Sequence, residues 1–166
     1  MFAARYGGTD QDKYPDHTAW IPGEFSDPRA LYAGPDLHIQ IERAEAYPNG
    51  ALISLTVRVP EPMSLEAQRG FAGEVISFHS GPGHVGPNLG YRFGATTDWT
   101  QAVPWGHGGT HGHYELHYWI PVDPGIEAAL RLLFVWPGRS ISERFDYSSA
   151  EHSSARDRAK WVWNSA

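Results

Sequence analysis

From Leu37 the chain alternates apolar and polar residues, with Leu37, Ile39 and Ile41 set against His38, Gln40 and Glu42. That period of two predicts a strand with one wet face. Tyr47-Pro48-Asn49-Gly50 follows as a turn, because Asn-Gly tolerates positive φ. The next run predicts a second strand paired as a hairpin, its inward set Ile53, Leu55, Val57 and Val59. Pro60 and Pro62 end it. Further strands are predicted at 74–79, 89–95, 113–120, 130–136 and 141–145, with loops over 80–88 and 101–110. On the 113–120 strand Tyr114, Leu116, Tyr118 and Ile120 share one face. The 130–136 run is almost wholly apolar and predicts a central strand.

After 145 the period changes. Ser148-Ser149-Ala150-Glu151 has the form of a capping box, and Ala155, Ala159 and Val162 follow at helical spacing. A helix over about 149–163 is expected, burying Trp161 or Trp163. Residues 1–35 hold Gly7-Gly8 and four prolines without a sustained period, so they predict an irregular arm anchored by Trp20, Ile21 and Phe25. Residues 36–166 then form one domain. The expected fold class is all-β: an antiparallel sandwich, immunoglobulin-like or jelly-roll-like, with the arm in front and one C-terminal helix behind.

Composition narrows the function. The 166 residues include 18 Gly and 13 Pro, which suits a turn-rich β fold. A net charge of −6 repels phosphate backbones, which argues against nucleic acid as a partner. With no cysteine, disulfides, thiolate metal sites and a cysteine nucleophile are excluded, and a cytoplasmic setting is expected. No leader-like apolar core opens the chain and no apolar run approaches the length of a membrane span, so no membrane is expected.

Several stretches resemble a family of uncharacterised actinobacterial proteins. They are Tyr47-Pro48-Asn49-Gly50 before an apolar strand, the loop Gly106-His107-Gly108-Gly109, and Tyr118-Trp119-Ile120-Pro121-Val122-Asp123-Pro124-Gly125. Phe134-Val135-Trp136-Pro137 follows, before a short strand and an Ala-containing helix ending in Trp. The resemblance covers about residues 37–163 and implies this order of strands, glycine loop and terminal helix, together with a bacterial source. It implies no catalytic residue. The histidine content of the glycine loop and the strand after it departs from the family.

Those histidines carry the one constellation with chemistry in it. His79, His84, His107, His111, His113 and His117 fall within one stretch. On a strand His111, His113, Glu115 and His117 share a face, successive members being about 6.5–7 Å apart. His107, His111, His113 and His117 are therefore candidate ligands for zinc or another transition metal, with His79 or His84 as further donors and Glu115 as ligand or base. The bland alternative is that Tyr114, Leu116, Tyr118 and Ile120 face the core and the histidines lie on the wet face.

Other signatures fail. The His-x-His and glutamate order does not fit a cupin, and there is no Gly-x-Ser-x-Gly elbow, P-loop or dinucleotide glycine motif. Asp10, Asp12 and Asp16 lack the glycine and glutamate of a calcium loop. Seven Trp raise carbohydrate binding, through Trp99, Trp105 and Trp119 near loops. The expectation is a non-enzymatic sandwich acting through contacts with another protein or with itself. A histidine metal-binding protein or small metal-dependent enzyme, and a carbohydrate-binding module, are the alternatives.

Overall fold

The computed structural model describes residues 19–25, 28–60, 64–77, 85–110, 112–123 and 125–163. Five strands lead: β1 (Trp20–Ile21), β2 (Gly23–Glu24), β3 (Arg29–Ala33), β4 (His38–Tyr47) and β5 (Gly50–Arg58). Helix α1 (Leu65–Ile76) separates them from β6 (Asn88–Phe93), β7 (Thr100–Gln101), β8 (Val103–Thr110), β9 (His113–Pro121), β10 (Leu130–Trp136) and β11 (Ile141–Tyr147). Helix α2 (Ser149–Asp157) and β12 (Lys160–Trp161) close the described chain.

The strands form open antiparallel sheets. The larger runs β2-β4-β5-β9-β8, with β3 also on β4; the smaller runs β11-β10-β6-β7; β1 and β12 make a separate pair. Alternation on each strand decides what faces inward. Ile39, Ile53, Leu55, Val57, Leu116, Tyr118 and Ile120 of the larger sheet share one buried cluster with Leu89, Leu130, Leu132, Phe134 and Trp136 of the smaller. The fold is thus all-β and sandwich-like, with one core between two sheets. Burial of this kind is worth about 1.5–3 kcal/mol per large side chain.

The helices close the flanks of that core. Phe71 of α1 packs against Tyr114 and Trp136, with ring centroids 5.4 and 5.8 Å away, and so touches both sheets. Arg139 caps this corner: it pairs with both oxygens of Glu74 at 2.9 and 2.8 Å and lies over the Phe71 and Trp136 rings. On α2, the His152 ring lies between Phe25 and Phe93, 5.9 and 6.0 Å from their centroids. Ser148 and Glu151 form the expected capping box, and Glu151 also takes Arg29 at 2.9 Å.

Several expectations are corrected. Within the strand expected at 74–79, residues 78 and 79 lie outside the described residues, and 74–76 are instead the end of α1. Ser64 caps its first turn, and Phe71 and Val75, four residues apart, bury one face. Among the described residues the sandwich therefore carries two α-helices rather than one. The expected loop over 101–110 is β7 and the edge strand β8, because pairing with β9 overrides the low strand preference of its glycines. The helix expected over 149–163 stops at Asp157. Trp161 and Trp163 are 40% and 65% exposed rather than buried, and Trp161 pairs with Trp20 across β12 and β1. Within the expected irregular arm, β1, β2 and β3 are three short strands, and Phe25 joins the main core. The tight turn of the β4–β5 hairpin is centred on Pro48 and Asn49, since Tyr47 and Gly50 already pair.

Candidate functional site

The outer face of the larger sheet holds the chemistry. Tyr114, Leu116 and Tyr118 point inward, so His113, Glu115 and His117 of β9 point outward by alternation. Beside them on β5, Ser54, Thr56 and Arg58 stand directly across from His117, Glu115 and His113.

A bulge in β4 completes the group. The buried set on β4 runs Ile39 and Ile41, then jumps phase to Ala44 and Ala46. The register slips between Ile41 and Arg43, which turns the consecutive residues Glu42 and Arg43 to the outer face opposite Ser54. On the other flank, Gly106 and Gly108 of β8 lie across from His117 and Glu115. A Cβ at Gly108 would meet nothing within 4 Å, and one at Gly106 would reach only the His117 ring at 3.8 Å. These two glycines put no side chain beside His117 and Glu115 on that side. The result is a shallow groove of about 360 Å³, lined chiefly by Glu42, Arg43, Ser54, Thr56, Glu115 and His117.

Its polar groups are positioned by one another. Ser54 Oγ lies 2.9 Å from His117 Nδ1, and Glu115 Oε2 lies 3.8 Å from His117 Nε2. Glu115 favours the proton on Nε2, which leaves Nδ1 to accept from the Ser54 hydroxyl. Thr56 Oγ1 donates to Glu42 at 3.4 Å, Arg58 lies 3.8 Å from Glu42, and Arg43 lies 3.5 Å from Glu45. Burial pushes the His117 pKa below its ordinary 6.5; Glu115 works against that, and Arg43 and His107 add to it. His117 is therefore neutral near pH 7.

A second layer adjoins the groove. Tyr47, Leu52 and Trp119 form their own cluster on the outer face, with Trp20 and Val103 packed on it. The Trp20 and Trp161 rings meet edge-on at 5.2 Å, so the β1–β12 pair roofs this end of the sheet. Ile21, Trp161 and Val162 of that roof remain exposed at 55%, 40% and 43%.

The histidine candidates separate. His113 and His117 share the outward face as expected, and His117 joins Glu115. His107 is exposed on β8, where its backbone stands across from Leu116 rather than from His117. His79, His84 and His111 lie outside the described residues, as do Asp10, Asp12 and Asp16. Among the described residues no group of three or more His, Cys, Asp or Glu gathers as metal ligands would. The described donors alone do not complete a zinc or other transition-metal centre. The proposed sugar platforms are corrected in part. Trp119 is fully buried, Trp99 lies under Arg92 on the other sheet, and Trp105, at a register shift in β8, is 38% exposed.

Glu42, Arg43, Ser54 and Thr56 escaped the sequence reading. The signal that marks them is the phase jump from Ile41 to Ala44, which announces a bulge.

No family model matches the chain, and no curated protein or solved structure matches it either. Among the described residues no helix is long and apolar enough to cross a membrane.

Proposed function

We propose that this protein is a non-enzymatic recognition domain that binds another protein through the outer face of its larger sheet. The observation that carries it is the groove beside the β1–β12 roof. A bulge and two glycines expose preset hydrogen-bonding groups next to exposed Ile21, Trp161 and Val162. A polar groove adjoining exposed tryptophan matches the chemistry of protein interfaces, where aromatic anchors sit beside satisfiable polar groups.

The Ser54, His117 and Glu115 contacts have the ingredients of a nucleophilic relay, but the setting opposes one. Ser54 lies mid-strand in β5, paired on both sides by β4 and β9. Its neighbouring amides are committed to those ladders, and an oxyanion hole needs free donors. The proposal retains the immunoglobulin-like or jelly-roll-like class, a cytoplasmic setting and an actinobacterial source, each on the sequence features that suggested it.

The test is to pan a random-peptide phage library on the full chain, and on Glu115→Lys and Trp161→Ala variants with unchanged melting temperatures. Peptides that bind the wild type and lose about tenfold or more on either variant support the proposal. Peptides that bind all three alike overturn it. So does an absence of enriched peptides, and saccharide binding on a glycan array in that case would establish the sugar alternative.

A further inference from the structure

The smaller sheet presents an outer face of opposite character. Leu130, Leu132, Phe134 and Trp136 of β10 point into the core, so Arg131 points out. The same alternation on β6 and β11, where Leu89 and Ile141 are buried, brings out Arg92 and Arg144. Arg92 stands directly across from Arg131, and Arg144 lies on the next strand. The Trp99 ring spans them, with the Arg92 guanidinium carbon 4.5 Å and that of Arg144 5.8 Å from its centroid.

This arrangement is unfavourable as it stands. Like charges directly across a sheet repel. None of the three arginines makes an ion pair among the described residues, although the chain is acidic overall and Asp146 stands across from Arg131. Among the described residues Arg92 donates a hydrogen bond to the carbonyl of Thr97 alone, at 3.2 Å. The Nε atoms of Arg92 and Arg131 are buried and meet no acceptor among the described residues. A buried guanidinium donor without an acceptor costs free energy that an anion would recover. The Trp99 face offsets part of the charge and holds Arg92 and Arg144 on this side.

We propose that Arg92, Arg131 and Arg144 form a binding site for an oxyanion, the phosphate or carboxylate group of a small ligand. Guanidinium forks match both groups through paired N–H donors. The site lies on the opposite side of the sandwich from the Ser54–His117 groove and does not depend on it.

The experiment measures thermal unfolding of the full chain in sodium phosphate, sodium acetate and sodium chloride at equal ionic strength. Phosphate or acetate should raise the melting temperature by about 2 °C or more above chloride, and the more effective salt identifies the group bound. Arg131→Gln and Arg144→Gln should abolish the increment, whereas Arg69→Gln on α1 should keep it. Arg144 is exposed, so its variant keeps the test valid if Arg131→Gln fails to fold. No increment over chloride, or an equal one in the Arg144 variant, overturns the proposal.

Discussion

His117 is the residue whose surroundings act most directly on its chemistry. Burial holds its pKa below 6.5, Glu115 raises it and Arg43 lowers it. Glu115→Gln should therefore move its titration midpoint further down, and Arg43→Gln should move it up, both read from the imidazole proton shifts by NMR. A midpoint indifferent to both substitutions would contradict the contacts described. This residue was legible in the sequence, because a His-x-Glu-x-His run on an alternating strand must share a face. Its hydroxyl partner was not. Ser54 and His117 are 63 positions apart, and only the pairing of β5 with β9 brings them to 2.9 Å. The metal expectation rested on the same period, but it also needs His111 and donors from neighbouring segments, and His79, His84 and His111 lie outside the described residues.

At the scale of elements, α1 and β8 show where local preference misleads. Val75, Ile76 and Phe78 look like a strand centre, while Gly70 and Gly73 weaken the helical signal of the twelve residues that form α1. Neither glycine is required there, since a Cβ at either would meet nothing within 4 Å. Gly70→Ala and Gly73→Ala should each stabilise the fold by about 1 kcal/mol in urea titrations. Gly23 is the opposite case. A Cβ there would sit 1.7 Å from the Ala155 carbonyl oxygen, where β2 lies against α2. Gly23→Ala should cost about 2 kcal/mol or more by the same measurement, and a neutral effect would contradict the seating of α2. The capping box of α2 was legible because it is local; the helix's end was not, because β12 leaves it to pair with β1, some 140 positions earlier in the chain.

Across the whole molecule, the core was legible wherever strands alternate, and the closure of its flanks was not. His152 illustrates the difference. It is 1% exposed between Phe25 and Phe93, and burial lowers its pKa below 6.5, the Ala128 carbonyl only partly opposing this. The unfolded chain takes up this proton near 6.5, and the folded chain only at lower pH. The unfolded state thus binds more protons below that point, and stability should fall as pH drops from about 6.5. His117 adds to the fall with the same sign. His152→Gln should flatten this acid limb in melts between pH 7 and 5, whatever it does to stability at pH 7.

The outer face of the larger sheet as the recognition surface is the central claim. Its most direct test is calorimetric titration of one affinity-selected peptide against the wild type and against Glu115→Lys. Glu115 is half exposed and lines the groove, so this substitution alters recognition with little effect on packing. The account predicts an affinity about tenfold or more weaker for the variant at an unchanged melting temperature. Equal affinities would place recognition elsewhere on the molecule and contradict it.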